Sequence, residues 1–245
     1  MQRNIRLVLE YDGTFFKGWQ IQPKQRTVQG ELEARLERLC SQPVRVIASG
    51  RTDTGVHAQG QVVNFKWNKD ISLERLQHAL NGMLPADVAV LAADEVPSTF
   101  HARFDARRRT YLYQIRQQKQ ALRRDQAWWI RRPLDVAAMQ EAASALVGHH
   151  DFTSFCVAAF EKEKRDCQVF DCTWQALENG LQFRMEANRF LRAMVRSIVG
   201  TLVEIGRGIR LPSAIPQILA AQNRQSAGES APPQGLFLNK VLYVE

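Results

Sequence analysis

Two hydrophobic periods take turns along this chain, and their order limits the folds open to it. Residues 3–11 alternate, with Ile5, Leu7, Leu9 and Tyr11 sharing one face, which reads as a strand. Asp12-Gly13-Thr14 then turns the chain. From Val28 the repeat lengthens: Val28, Leu32, Leu36 and Leu39 fall at helical spacing behind Thr27, a residue suited to the N-cap. Val44 to Ala48 reads as a second strand, about 49–61 as a long loop, and Val63, Phe65 and Trp67 as a third strand. Ser72 opens a second helix with Leu73, Leu76, Leu80 and Met83 on one side. Pro85-Ala86-Asp87 breaks it, and Val88 to Ala93 makes a fourth strand. The order is βαββαβ, that of a ferredoxin-like unit.

The second half repeats the order less cleanly. Arg109, Tyr111, Tyr113 and Ile115 line one face of a strand. A helix is expected from Asp135 to Val147, stopped by Gly148, with His149-His150 at its end. Residues 168–177 and 181–187 read as strands joined at Asn179-Gly180, a hairpin signal. A helix from about Phe190 to Ile205 carries Leu191, Met194, Val195, Ile198, Val199 and Leu202 on its apolar side. A shorter helix after Pro212, a surface loop over 224–235 and a closing strand from Leu236 to Val244 complete the reading. The expected architecture is α/β (α+β): two ferredoxin-like, RRM-like βαββαβ-type domains with mixed antiparallel sheets, 1–102 and 103–245. Such a fold settles no function by itself.

Charge narrows the field. Between Arg103 and Arg132 lie nine arginines and one lysine against Asp105 and Asp125, and the rest of the chain holds 23 basic and 23 acidic residues. The whole net charge of +8 therefore sits in one segment. A concentrated surplus makes a local field that attracts phosphates. Tyr111, Tyr113, Trp128 and Trp129 interleave with it; guanidinium forks bind phosphate, and aromatic rings stack on unpaired bases. This is the composition of a nucleic-acid surface, with Arg107, Arg108 and Arg109 its densest part. Residues 1–25 contain no signal peptide, and the most apolar helical stretch, Ala193 to Ile205, contains Arg196 and Glu204. A cytoplasmic protein without membrane association is expected. Cys40, Cys156, Cys167 and Cys172 show no metal-ligand spacing, so reduced, buried thiols and no metal are expected.

The long loop is the best candidate for chemistry. Ser49-Gly50-Arg51-Thr52-Asp53-Thr54-Gly55-Val56-His57 presents a cation, a carboxylate and an imidazole within seven residues, among glycines that allow unusual backbone angles. Beside Arg51, Asp53 is expected to carry its charge and so to serve as nucleophile or electrostatic stabiliser. Taken alone, Asp-Thr-Gly is closer to a plain turn. It also occurs in aspartic proteases, but there two carboxylates share a proton, which a cation two residues away opposes.

A resemblance makes the reading specific. Gly50-Arg51-Thr52-Asp53-Thr54-Gly55-Val56-His57-Ala58, followed by Gln61-Val62-Val63, resembles the signature of the TruA family of tRNA pseudouridine synthases. Further blocks arrive in family order: Tyr11-Asp12-Gly13-Thr14, Gly18-Trp19-Gln20, Asn81-Gly82-Met83-Leu84-Pro85, Phe100-His101-Ala102-Arg103-Phe104 and Arg109-Thr110-Tyr111-Leu112-Tyr113. His150-Asp151-Phe152-Thr153-Ser154-Phe155, Asn188 to Arg196 and Ala231 to Leu236 follow. About Arg116 to Arg131 is the less matched stretch.

The resemblance implies the pseudouridine synthase fold and isomerisation of uridine to pseudouridine in the anticodon stem-loop of tRNA, at positions 38, 39 and 40. It implies a homodimer that needs no cofactor or metal. It places the catalytic aspartate on Asp53, the active-site tyrosine on Tyr111, the basic partner of the carboxylate on Arg196 and the motif arginine on Arg51. His57, Arg107, Arg108 and Arg109 join Arg51 and Tyr111 as expected substrate-binding residues. Arg196 lies on an otherwise apolar helix, where a buried cation is costly unless paired, and the expected partner is Asp53 across the domain junction. A free phenol with pKa about 10 is about one part in a thousand ionised at neutral pH, so stacking on uracil suits Tyr111 better than proton transfer. The competing reading, a non-catalytic RNA-binding protein, explains the charge but leaves Asp53 and Arg196 idle.

Overall fold

The computed structural model describes residues 2–157 and 164–243. Among them the chain forms, in order, β1 (Arg3–Tyr11), α1 (Val28–Cys40), β2 (Ile47–Ala48), β3 (His57–Trp67), α2 (Leu73–Met83) and β4 (Val88–Val96). There follow β5 (Arg108–Arg116), β6 (Trp128–Trp129), α3 (Val136–Ser144), β7 (Gly148–Asp151), β8 (Asp166–Leu177), β9 (Gly180–Ala187), α4 (Met194–Gly206), α5 (Ala214–Ala221) and β10 (Leu236–Leu242). This is an α+β protein. It divides into two compact units, Met1–Arg107 with Leu238–Glu245, and Arg108–Phe237. The division falls a few residues after the expected 102, and the end of the chain returns to the first unit.

In the first unit β1 is central, antiparallel to β3 on one side (Leu7 opposite Val63) and to β4 on the other (Leu7 opposite Ala93). Its odd-numbered side chains Ile5, Leu7 and Leu9 are fully buried, as are Leu32 and Leu36 of α1 and Leu76 and Leu80 of α2. Burying each such side chain contributes about 1.5–3 kcal/mol. The helices start where expected: Thr27 accepts from the Gly30 N–H and Ser72 from the Arg75 N–H. The expected strand Val44 to Ala48 shrinks to two residues. β2 pairs β3 at Asn64 and Val63, and just before it the Val46 N–H donates to Glu33 Oε1 of α1 (3.0 Å). Gly60, expected in the loop, lies in β3, and a Cβ there would stand 2.5 Å from the Asn239 carbonyl oxygen. The loop is therefore shorter than expected, since β3 begins at His57.

In the second unit β5 and β9 are antiparallel (Tyr111 opposite Met185), β8 and β9 form a hairpin, and β7 flanks β8. β6 pairs β5 in parallel. Leu177 pairs with Gly180, so the turn residues are Glu178-Asn179, one position before the expected pair. Gly180 answers a different need: a Cβ there would meet the Ile115 carbonyl oxygen at 2.0 Å. Helix α3 ends at Ser144, not Val147, and His149 and His150 sit on β7. Helix α4 starts at Met194, not Phe190, behind Ala193 in the left-handed region (φ 59). Residues 188–192 are used otherwise: the Asn188 side chain and backbone pair with Gln168, and Phe190 packs edge-on against Tyr111. The expected surface loop 224–235 is a correction too. Ala227, Gly228 and Ala231 are buried, and at Gly200 of α4 a Cβ would lie 1.7 Å from the Glu229 carbonyl oxygen. Polar side chains of α4 serve that backbone, Thr201 accepting from the Gly228 N–H and Glu204 from the Glu229 N–H. The closing strand is described to Leu242; Val244, its expected end, lies outside the described residues.

Candidate active site

Asp53 is half-buried in the connection between β2 and β3, next to buried Thr52 and exposed Arg51 and Thr54. The connection closes a turn on itself, the Val56 N–H donating to the Asp53 carbonyl (3.1 Å). At its start Ser49 Oγ donates to Gln61 Oε1 (2.7 Å), and Gln61 Nε2 donates to the Gly50 carbonyl (2.9 Å). These anchors fix the backbone that carries Asp53.

A second segment, 11–19, clasps this loop. The Tyr11 hydroxyl stands 2.8 Å from Thr52 Oγ1, the Trp19 N–H donates to the Thr52 carbonyl (3.0 Å), and the Gly55 N–H donates to the Phe16 carbonyl (3.4 Å). Two glycines make the approach possible. A Cβ on Gly13 would lie 2.0 Å from the Val56 carbonyl oxygen; Gly18 has φ +88, and a Cβ there would lie 2.8 Å from the Thr52 carbonyl oxygen. Burial pushes the Tyr11 phenol up to about 12, against a smaller pull from its hydrogen bonds with Thr52 and Gln61. Tyr11-Asp12-Gly13 and Gly18-Trp19 were visible as motif blocks, but their purpose was not. Only the two glycines, too many for one turn, hinted at close backbone contact.

His57 is enclosed, 1% exposed, at the start of β3. Its Nδ1 accepts the Gly13 N–H (3.1 Å), which puts the proton of a neutral imidazole on Nε2. Asp12 Oδ1 lies 3.2 Å from the same nitrogen, but it already accepts from the Thr14 N–H and hydroxyl. The structure therefore places His57 among the groups that shape the Asp53 loop.

In the second unit Tyr111 lies mid-strand in β5, 8% exposed, its ring 4.8 Å from that of Phe190 at 79°. Tyr113, two residues on, is a core residue: it packs edge-on against Trp128, donates to the Pro232 carbonyl (2.8 Å), and has its phenol pushed up by burial against the Arg196 charge. Arg196, in the first turn of α4, is half-buried; its Nε donates to the Ala231 carbonyl (2.7 Å), and its own carbonyl accepts the Ala231 N–H (2.9 Å). The guanidinium is thereby aimed by the 228–231 segment.

The basic segment separates into different roles. Arg107 is exposed, its N–H bonded to the Leu242 carbonyl. Arg108 lies 3.3 Å from Glu186 and 4.3 Å above the Phe170 ring, while Arg109 donates to the Asn188 carbonyl (2.7 Å). Glu186 also takes Arg184 (2.6 Å) and the Thr110 hydroxyl (3.1 Å), so part of the local charge is balanced within the sheet. Phe104 (74% exposed) and Trp129 (48% exposed) are outward aromatics of the segment, with Lys119 Nζ 5.9 Å from the Trp129 ring.

Among the described residues no group of three or more His, Cys, Asp or Glu side chains is placed to hold a metal ion, and no helix is long and apolar enough to cross a membrane. The four cysteines are buried, unbridged thiols; burial pushes Cys167 up to about 12 and Cys172 well above its ordinary value.

Comparison with known proteins follows the same lines. A family profile described as tRNA pseudouridine synthase matches residues 7–105 and 142–244. The residues between, which include Tyr111 and most of the arginine surplus, fall outside the two matched segments. The chain is 48% identical over 238 residues (96% of this chain, 90% of the relative) to tRNA pseudouridine synthase A of Halalkalibacterium halodurans. It is 44% identical over 243 residues (98% of each) to the protein of that name in Bacillus pumilus. The Moorella thermoacetica protein of that name is 46% identical over 250 residues, covering 98% of this chain and 99% of its own.

Proposed function

The chain belongs to the tRNA pseudouridine synthase family, and from that premise we propose that it isomerises uridine to pseudouridine at positions 38, 39 and 40 of the tRNA anticodon stem-loop. The observation that carries the reading is the Asp53 loop, a carboxylate presented from a backbone clasped on one side by 11–19 and fastened on the other by Ser49 and Gln61. So much fixation around one half-buried carboxylate exceeds what a surface turn needs, and suits a group whose angle of attack matters.

The reaction breaks the N1–C1′ bond of uridine, turns the uracil and joins C5 to C1′; N1 gains a proton and C5 loses one to solvent. Asp53 acts as nucleophile at C6, as nucleophile at C1′, or as base in an elimination to a glycal. Each route uses the carboxylate ionised. Tyr111 stacks on the uracil, and Arg196 holds and orients the Asp53 carboxylate. Arg51, Arg107, Arg108 and Arg109 meet the RNA, and His57 assists by setting the loop. The target base must leave its stack, at a cost of a few kcal/mol that is least in loops and at helix ends. No cofactor or metal takes part. The protein works in the cytoplasm as a homodimer, with two related ferredoxin-like units in each chain.

The test is Asp53→Ala assayed on tRNA carrying tritium at uracil C5. We expect tRNA binding to be kept and tritium release to be lost. Undiminished release from that variant would remove Asp53 from the mechanism.

A further inference from the structure

The segment that clasps the Asp53 loop also displays a side chain with no packing role. Phe15 is 77% exposed, while its neighbour Phe16 is 1% exposed. The two differ by design of the backbone. The Phe16 N–H donates to the Gly13 carbonyl (3.0 Å), closing a turn with Thr14 and Phe15 at its apex. Phe16 is anchored below: the Arg26 guanidinium lies 4.1 Å over its ring and is itself held by both Asp87 oxygens (2.7 and 2.8 Å). Asp12 pins the other side of the turn through the Thr14 N–H and hydroxyl. Lys17 is likewise exposed on fixed backbone, its N–H donating to the Arg26 carbonyl (2.9 Å) and its carbonyl accepting from Gln22 Nε2 (2.8 Å).

A large ring held in water on a rigid turn does nothing for stability. Here it stands one residue from the Phe16 carbonyl that accepts the Gly55 N–H of the Asp53 loop, and two residues from an exposed lysine. An aromatic face beside a cation is the combination that holds unpaired nucleotides, the ring stacking on a base and the charge meeting the backbone. We propose that Phe15 stacks on an unpaired base of the RNA substrate flanking the target uridine, with Lys17 on the adjacent phosphate. The proposal rests on the synthase reading for the identity of the RNA. Phe15 acts here as a specificity-determining contact, outside the reacting atoms.

The experiment measures equilibrium binding of an unmodified tRNA transcript, and tritium release under saturating tRNA, for wild type, Phe15→Ala, Phe15→Leu and Phe15→Trp. Loss of one stacked base weakens binding by roughly tenfold. Phe15→Ala and Phe15→Leu are expected to bind about tenfold more weakly with release at saturation unchanged, and Phe15→Trp to bind as wild type. Transcripts abasic at each nucleotide flanking the target give the sharper reading. At one position wild type loses the same factor, and Phe15→Ala loses nothing further. Binding by Phe15→Ala within twofold of wild type overturns the proposal. So does full affinity in Phe15→Leu, which makes the contact merely apolar, or a changed oligomeric state in Phe15→Ala, which makes it a contact between copies of the chain. Binding is read independently of turnover, so an inactive wild type would sink the synthase reading while the Phe15 comparison still decides.

Discussion

The Tyr11 hydroxyl and Thr52 Oγ1 lie 2.8 Å apart, both side chains buried, so the end of β1 is tied to the residue before Asp53. The carboxylate thus inherits its position from the central strand of the first unit.

Removing that hydroxyl tests the tie. Tyr11→Phe leaves the Thr52 hydroxyl buried without its partner, which costs about 1–2 kcal/mol in denaturant unfolding. Turnover should fall more than tRNA affinity. The variant also has a pH signature. The folded phenol keeps its proton up to about 12, whereas the unfolded chain releases it near 10.0. Between those values the unfolded state binds fewer protons, so stability falls as pH rises. Urea midpoints of Tyr11→Phe should therefore decline less steeply than those of wild type over that window.

Glycines of different surroundings should answer oppositely to the same change. Gly13→Ala puts a methyl against the Val56 carbonyl oxygen, backbone that cannot yield, and should cost about 1–3 kcal/mol or more together with most of the activity. Gly82 lies within α2 with nothing inside 4 Å of a new Cβ. Gly82→Ala should stabilise by about 0.5–1 kcal/mol and leave activity intact. Thermal unfolding with a turnover assay reads both; a Gly13→Ala protein of full activity would show the clasp to be unnecessary.

Arg196→Ala separates orientation from binding. If the guanidinium aims the Asp53 carboxylate, turnover should drop on the order of a hundredfold or more while tRNA affinity changes by about a few-fold. Arg196→Lys should recover little, since an ammonium cannot bond the Ala231 carbonyl and present a second planar donor together. Equal losses in binding and turnover would make Arg196 a phosphate contact.

Salt dependence reads the basic segment. Replacing a cation that meets a phosphate lowers the slope of log affinity against log salt by about 0.7–0.9. Arg107→Ala should show this in full. Arg108→Ala should show less of it, because Glu186 already balances that charge, and more loss of stability from the exposed Phe170 face. A triple Arg107, Arg108 and Arg109 variant with an unchanged slope would move the RNA surface elsewhere.

How far the structure could be read beforehand depended on the range of the forces involved. Local signals transferred well: the caps at Thr27 and Ser72, the alternation in β1 and β5, and the element order of the first half all rest on neighbours within a few residues. Long-range competition did not. Beyond β2 the neighbour of β3 is β10, nearly two hundred residues later in the chain, while the Val46 N–H is taken by Glu33 of α1. Helix α4 begins late because Phe190 packs on Tyr111, and Ala227, Gly228 and Ala231 are buried because α4 presents Gly200 and Thr201 to the backbone there. There the exposed side chains Gln225 and Glu229 lie beside backbone that bonds to a helix. For the site, Asp53 stood out by its glycines and charge. The Tyr11–Thr52 tie and the burial of His57 required strands far apart in sequence to meet, and no pattern in a single sequence announces that.

Under the proposed function, Asp53 of this chain makes pseudouridine in the anticodon stem-loop. Mapping pseudouridine, nucleotide by nucleotide, in an unmodified tRNA transcript incubated with wild type or with Asp53→Asn decides the matter. Pseudouridine is expected wherever uridine occupies positions 38, 39 or 40 after wild type, and at none of them after the variant, although the variant binds the transcript. Pseudouridine formed equally by the variant, or absent from those positions after wild type, would contradict the account.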